Sequence, residues 1–578
     1  MSRLLNFLKN NKIPVLVGIA LGLILLLPQL ELIFILGEDY NGIPINEIDN
    51  DEFYNSRARD VYDGNFLVKS PRVYWPEAEY AMIPALGEAV VAAIARVTGL
   101  SVGTVPLVTN FLFPFVLYLF LFVLFHALTR SRLVSILAAA GVILISNLTF
   151  FPREFFTIFT DFSALTPSPY NRPVVPQVSS VVFFIFLLLF FLFLKNEKKP
   201  LLIASGVVFG LLFYTYLYAW TFATVLLGLY FLIFILRKQY TQAKKLLLIG
   251  LIGLGVSSFF WVNYFRVSAL PVYDDMQKRF GFINSRTPIW NNLLFLDAIF
   301  ILVMAWFKKS WSKNIQFVFL FVVAGFILIN QQVITNYRFF PGHWHWYFIV
   351  PISIFIFIWF ANFVVEKLNR TYLKITLAII LASLIFTNGI LSQHAYFLKH
   401  KENYTDLQRF ARVYDWIDQN TRKDLVILVN RDKFNTDLSE KLTVFTSAYS
   451  YLPDIADRVY LIPQEYFRHA YFVSLFLEGK TNPETDVRQD DFRLMTVLFG
   501  FYNRYQFKCM ACYTDEEITG LKDDYSEFLE QDFETALKQY KLDYAIWDTK
   551  RDKLWNLDQY DFLEPLTEIN GIKIYSVT

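Results

Sequence analysis

The chain carries about eleven apolar stretches of the length that a helix needs to cross a bilayer, which is about 20 residues. They lie near residues 13–36, 105–128, 133–150, 178–194, 201–217, 220–236, 246–265, 290–307, 314–332, 346–364 and 375–394. The first is too long for a secretory signal sequence, and we interpret it as an anchor. With 61 Phe and 55% hydrophobic residues, the composition excludes an ordinary soluble enzyme, which has about 45–50% apolar residues. We predict a polytopic α-helical membrane protein of about eleven spans.

Charged residues are sorted between the two sets of loops. If the N-terminus is cytoplasmic and the spans alternate, the cytoplasmic loops contain 18 Lys and Arg but only two acidic residues, Glu197 and Glu366. The loop at 37–79, on the opposite side, contains ten Asp and Glu and four Lys and Arg. Because Lys and Arg favour the cytoplasmic side, we predict a multi-pass protein of the plasma (inner) membrane with an extracytoplasmic C-terminus. Charge is expected to be nearly absent within the spans, which argues against coupled transport.

Two other features of the composition exclude further classes. The net charge of +2 offers no basic surface for nucleic acid. Two cysteines exclude a disulfide scaffold. Whether Cys509 and Cys512 form a local disulfide or stay as free thiols is open.

The C-terminal part of the chain differs in pattern from the rest. Residues 1–394 form the predicted membrane domain, and residues 395–578 contain no span. Residues 404–420 have the period of an amphipathic helix, whereas residues 424–430, 542–547 and 572–577 have the pattern of strands. We therefore predict a small extracytoplasmic α/β domain after the spans.

The loop at 37–79 contains a dense acidic group, with Asp49, Asp51 and Glu52 within four positions. Residues 53–63 predict a short surface helix ended by Gly64. Because clustered carboxylates repel one another, one of them tends to accept a proton or bind a metal. Asp49 and Asp51 have the spacing to share a divalent cation such as Mg²⁺ or Mn²⁺. A solvated acidic loop is the alternative.

The run from Asp51 to Arg57, DEFYNSR, resembles the Asp-x-aromatic-aromatic-Asn-x-Arg run of oligosaccharyltransferase catalytic subunits. The pair Asp51-Glu52 is similar to the Asp-Glu pair of protein O-mannosyltransferases. With the many spans and the outer C-terminal domain, the chain resembles the GT-C superfamily of membrane glycosyltransferases, which also includes aminoarabinose transferases. The Trp-Trp-Asp-aromatic-Gly run that reads Asn sequons has no counterpart in the sequence, where Trp547-Asp548 stands alone. A single-sugar transferase with a lipid or polysaccharide acceptor is therefore favoured.

The resemblance implies a GT-C-like fold and transfer of a sugar from a polyprenyl-phosphate-linked donor to a glycan, lipid or protein acceptor on the outer face of the membrane. It implies that Asp51, with Glu52 and Asp49 beside it, is the general base or organises the acceptor through a divalent ion. General-base action accelerates a reaction by about 10²–10⁴-fold. A non-catalytic translocator of lipid-linked glycans, or a cell-envelope assembly protein, is the alternative from another class.

Basic side chains in the outer loops are candidates for holding the donor phosphate, because a guanidinium binds phosphate in a bidentate manner. These candidates are Arg57, Arg172, Arg338 and His343. For Arg172, contact with lipid headgroups is the alternative, and for Arg338 and His343 it is an interfacial aromatic belt. Glu154 and Asp161 are candidates for a second acidic element facing the first loop, as in the oligosaccharyltransferases.

Overall fold

The computed structural model describes residues 11–46, 51–280, 283–421, 424–430, 438–488, 498 and 514–578. Every apolar stretch named above contains at least one helix. The helices up to the C-terminal domain are α1 (Lys12–Leu36), α2 (Asp51–Tyr62), α3 (Leu86–Thr98), α4 (Pro106–Thr129), α5 (Arg132–Leu144), α6 (Ser146–Phe150), α7 (Glu154–Thr160), α8 (Gln177–Asn196), α9 (Lys199–Leu212), α10 (Leu217–Leu236), α11 (Tyr240–Val256), α12 (Ser258–Val267), α13 (Val272–Phe280), α14 (Asn292–Lys308), α15 (Lys313–Ile329), α16 (Gln332–Thr335), α17 (Pro341–Trp344), α18 (Val350–Lys367) and α19 (Thr371–Leu407).

The polytopic helical membrane fold is confirmed, but the count of eleven spans is not. Within the described ranges, seven helices are long and apolar enough to cross a membrane, and α11 with α12 makes an eighth if this pair, bent by 60°, is one span. The stretches at 133–150 and 201–217 instead give the shorter helices α5 and α9. The first of these is interrupted because Ile145 leaves the helical conformation before α6 begins.

The membrane part is packed through phenylalanine rings and close helix contacts. The rings of Phe183 and Phe348 lie 4.3 Å apart between centroids, and those of Phe222 and Phe321 lie 4.4 Å apart. Gly22 on α1 has no side chain where α4 crosses, since a Cβ there would lie 2.8 Å from the carbonyl oxygen of Phe111. Phenylalanine side chains therefore pack inside the helix bundle and also lie on its apolar surface.

The expectation of nearly charge-free spans is wrong at two positions. Asp297 on α14 is buried, and its carboxylate accepts a hydrogen bond of 2.5 Å from the Ser353 hydroxyl. Glu31 on α1 lies 2.7 Å from His394 Nδ1 on α19. Both acids have polar partners on another helix.

The C-terminal part contains a five-stranded mixed sheet, so the predicted α/β character is confirmed. Its strands are β3 (Val426–Val429), β4 (Tyr449–Ser450), β5 (Tyr544–Asp548), β6 (Leu563–Ile569) and β7 (Ile572–Val577), in the order β4-β3-β5-β7-β6. Strand β3 is parallel to β4 and β5, and β7 is antiparallel to β5 and β6. Two further short strands, β1 (Ile283–Asn284) and β2 (Tyr337–Arg338), pair elsewhere.

Helices flank the sheet and connect it to the membrane part. They are α20 (Ala411–Asn420), α21 (Leu438–Phe445), α22 (Gln464–Leu477), α23 (Pro483–Asp486), α24 (Asp515–Glu530) and α25 (Phe533–Leu537). The predicted boundary after residue 394 falls inside α19, which continues to Leu407 and is followed by a 3₁₀ turn at Gln408–Phe410. Helix α2 packs against α3 on one side and against α21 of the C-terminal part on another.

Candidate active site

Helix α2 is the centre of the candidate site, and it forms where the sequence predicts it. It ends at Tyr62, and Gly64 follows with a φ of +111°, a conformation that favours glycine. Ala58 and Val61 are buried on its apolar side. Helix α2 is therefore held between α3 and α21, both by burial of its apolar face and by the ion pairs described next.

The acidic group at the start of α2 is described only in part. Asp49 lies outside the described residues, and Asp51 is the first residue of α2, without a described side chain. Glu52 is buried and forms an ion pair with Lys441 of α21, whose Nζ also lies 3.3 Å from the Tyr404 hydroxyl. Glu52 thus links the beginning of α2 to the C-terminal part of the chain.

Arg57 forms the second buried ion pair of α2. Its Nε lies 2.6 Å from Glu88 Oε1 on α3, and both side chains are at most 2% exposed. Its Nη2 donates to the carbonyl oxygens of Ile83 and Pro84 at 2.9 and 3.2 Å. The sequence-predicted phosphate ligand Arg57 therefore joins α2 to α3.

Arg172 and His343 are brought together with three tyrosines, and we call these five residues the arginine–tyrosine cluster: Tyr54, Arg172, Tyr216, His343 and Tyr347. Arg172 Nη1 donates to the Tyr347 hydroxyl at 3.1 Å, and its guanidinium carbon lies 5.1 Å from the centre of the Tyr54 ring. His343 Nδ1 and the Tyr216 hydroxyl form a hydrogen bond, and the rings of His343 and Tyr347 lie 5.9 Å apart. Arg172 is 8% exposed.

The electrostatics of the cluster favour an anion. Burial raises the pKa of Tyr54 to about 12 although Arg172 lowers it, so this phenol stays neutral at physiological pH. The neutral hydroxyls act as donors or acceptors without adding charge, and the arginine supplies a permanent positive charge. Because Tyr54 lies one turn after position 51 on α2, the cation is held next to the helix that begins with the candidate base.

The remaining predicted residues lie in other surroundings. Arg338 lies on β2 opposite Ile283 of β1, and burial lowers the pKa of its guanidinium. Glu154 accepts hydrogen bonds from Thr166 and from Asn147 Nδ2, the latter at 3.0 Å. Asp161 is exposed and caps the turn at Ser163. Both acids thus bond within the segment around α7.

Residues outside the predicted set contribute much of this geometry. Glu88 could have been found from the sequence, because it is the single acid in the apolar segment that forms α3. No sequence pattern indicates Tyr347 or Lys441, because their partners lie 175 and 389 residues away along the chain. Among the described residues, no group of three or more His, Cys, Asp or Glu is arranged to hold a metal ion.

Comparisons with known proteins return similar structures but no similar sequence. No family model and no curated protein matches the chain. ArnT from Cupriavidus metallidurans bound to undecaprenyl phosphate is similar at a TM-score of 0.46 and 11% identity, over 97% of each chain. The Archaeoglobus fulgidus oligosaccharyltransferase in its apo form is similar at a TM-score of 0.48 and 11% identity, over 93% of this chain and 70% of that one. The archaeal oligosaccharyltransferase AglB from Archaeoglobus fulgidus, in complex with an inhibitory peptide and a dolichol-phosphate, is similar at a TM-score of 0.47 and 11% identity, over 99% of this chain and 75% of that one.

Proposed function

We propose that the protein is a membrane glycosyltransferase that moves a sugar from a polyprenyl-phosphate-linked donor to an acceptor on the outer face of the plasma (inner) membrane. The observation that carries this proposal is the placement of Arg172 beside Tyr54 of α2, since it puts a buried cation next to the helix that begins at Asp51. In this proposal residues 1–394 hold the lipid donor, residues 395–578 form an extracytoplasmic domain, and the N-terminus is cytoplasmic.

The proposed reaction needs a base for the acceptor and a cation for the leaving group. Asp51 takes the proton from the acceptor oxygen, which bonds to the anomeric carbon of the sugar. The bond between that carbon and the phosphate oxygen breaks, and the lipid phosphate leaves with its electron pair. Arg172 stabilises the charge that develops on this phosphate, and the hydroxyl of Tyr347 keeps the guanidinium in position. His343 and Arg338 are further candidate phosphate contacts.

Glu52 and Arg57 are positioning residues in this proposal. Each is committed to a buried ion pair that fixes α2, with Lys441 and Glu88 respectively. If a divalent cation such as Mg²⁺ or Mn²⁺ takes part, Asp49 and Asp51 offer the oxygen ligands that such ions prefer. It would supply charge stabilisation at the acceptor, and turnover would then stop with EDTA.

The test compares three purified variants with the wild type, using a panel of polyprenyl-phosphate sugars as donors and undecaprenyl phosphate as the binding probe in native mass spectrometry. Asp51→Asn is expected to lose turnover and keep lipid binding. Arg172→Gln is expected to lose both. Arg153→Gln is the matched control. Arg153 lies in the same stretch between α5 and α8 as Arg172, but its side chain is exposed.

Two results would overturn the proposal. Turnover by Asp51→Asn at the wild-type rate would show that Asp51 is not the general base. Equal lipid binding by Arg172→Gln and Arg153→Gln would show that Arg172 does not bind the lipid phosphate. Lipid binding without turnover of any donor in the panel would instead support a non-catalytic lipid-binding protein.

A further inference from the structure

A cleft away from the arginine–tyrosine cluster has no part in the proposed chemistry. It has a volume of about 390 Å³ and opens between the C-terminal end of α2, the segment after it and the C-terminal domain. A cavity of about 180 Å³ continues it, and both are lined by Asp60, Asn65, Asp424 and Tyr449. Cavities of roughly 300–1,000 Å³ are the usual size of small-molecule sites.

The lining of this cleft combines aromatic faces with planar polar groups. Trp75, Tyr74 and Tyr449 line the larger part. The rings of Tyr74 and Tyr449 meet edge to face at 5.4 Å, and the Trp75 ring packs against Tyr466 at 6.0 Å, so the aromatic walls are held by neighbours. Aromatic rings offer apolar faces to the C–H side of a sugar ring.

The polar groups are placed to bond hydroxyl groups. Asp60 Oδ1 accepts a hydrogen bond of 2.8 Å from Asn65 Nδ2, which orients both side chains at the end of α2. A carboxylate accepts several hydrogen bonds and an amide both donates and accepts, which suits adjacent hydroxyls on one ring. Asp424, from the segment before β3, faces the same cleft.

The cleft has no excess of positive charge. Two carboxylates, Asp60 and Asp424, and one ammonium group, Lys69, line the larger part, and the ammonium group of Lys541 lies 4.3 Å from the centre of the Tyr74 ring. In the smaller part the guanidinium of Arg59 is 2.8 Å from Asp63, which neutralises both. A phosphate or a uronic acid would therefore find no net positive charge to offset its own, whereas a neutral sugar needs none.

We propose that this cleft binds a neutral saccharide and, resting on the proposed function, that it holds the glycan of an acceptor whose reacting end lies at the start of α2. Asp60 is about 14 Å along α2 from position 51. An acceptor that bridges this distance carries more than one sugar unit, so the acceptor class is an oligosaccharide or a glycan-bearing molecule.

The test measures saccharide binding directly, with the full chain in a detergent without a sugar head group. The probes are maltose, lactose and N,N′-diacetylchitobiose, with a glucuronic-acid disaccharide as the charged comparison, observed by saturation-transfer NMR and calorimetry. We expect at least one neutral probe to bind and the charged one not to bind. Asp60→Asn and Trp75→Phe are each expected to weaken binding about tenfold or more, with a cooperative thermal unfolding transition showing that each variant folds.

Glu77→Gln is the matched control, because Glu77 is exposed beside the cleft and does not line it. Absence of binding by every neutral probe would overturn the inference, as would binding that Asp60→Asn and Glu77→Gln leave equally unchanged. Asp51→Asn separates the two proposals, since it is expected to lose transfer and keep saccharide binding. If binding depends on Asp60 but the protein has no transferase activity, the cleft is a saccharide site and the proposed function is refuted.

Discussion

Lys441 of α21 forms a buried ion pair with Glu52, the second residue of α2. The pair joins residues 389 positions apart in the chain, and it lies next to the candidate base Asp51. Since α21 belongs to the C-terminal part, that part contributes to fixing the position of α2. The C-terminal domain therefore acts as a support for the candidate site.

The Lys441→Met variant is expected to be strongly destabilised. Removing the lysine leaves the buried carboxylate of Glu52 without its charge partner, which costs about 3–5 kcal/mol. The double variant Lys441→Met/Glu52→Gln should recover part of this loss, because no uncompensated charge remains. Thermal and denaturant unfolding in detergent measure both effects.

The control for this pair is Lys522→Met, which breaks the exposed pair of Lys522 with Glu484. An exposed pair contributes about 0–1 kcal/mol, so this variant should unfold close to the wild type. Equal effects of Lys441→Met and Lys522→Met would refute the importance of the buried pair.

The local features of α2 and of the sheet could be predicted from the sequence. The helix pattern with Gly64 after it, and the apolar runs that become β3, β5 and β7, depend on residues close together in the chain. The span count could not be predicted in the same way, because hydropathy does not locate the break at Ile145 or the bend between α11 and α12.

The candidate site was predictable only in its parts. Arg172 and His343 were recognisable as basic residues in loops, but they come together because residues 341–349, which contain both His343 and Tyr347, pack against Arg172. The roles of Arg57 and Glu52 depend on Glu88 and Lys441, whose pairing is set by how α3 and α21 pack on α2. Long-range packing of this kind leaves no pattern in a single sequence.

Tyr347→Phe tests how Arg172 is positioned. The variant keeps the ring and removes the hydroxyl that accepts the hydrogen bond from Arg172 Nη1. Hydrogen bonds to charged groups contribute about 1.5–3 kcal/mol, so kcat/KM for a polyprenyl-phosphate donor should fall at least about tenfold. Tyr230→Phe, at another buried tyrosine, on α10, is the control. An unchanged kcat/KM in Tyr347→Phe would show that this hydroxyl does not position the cation.

Asp60→Asn is expected to change how stability depends on pH. Burial raises the pKa of Asp60 from 3.8 to about 6 in the folded protein. A raised carboxyl pKa means that Asp60 contributes stability below about pH 4 and loses this contribution as the pH rises through about 6. The asparagine carries no charge to desolvate, so the variant should have a higher thermal midpoint than the wild type at pH 7–8. The difference should shrink below pH 6, and a difference independent of pH between 4 and 8 would contradict the raised pKa.

Gly64→Ala tests whether the end of α2 depends on backbone conformation alone. A Cβ at Gly64 would meet no atom within 4 Å, so any loss of stability comes from the φ of +111°. We expect a loss of about 1–2 kcal/mol, because a side chain disfavours this region. Gly520→Ala is the matched substitution: it also has open space around its Cβ but lies inside α24, where alanine should instead gain about 0.5–1 kcal/mol. Opposite signs for the two variants in thermal unfolding are the expected result. Equal signs would mean that the turn at Gly64 does not hold the end of α2.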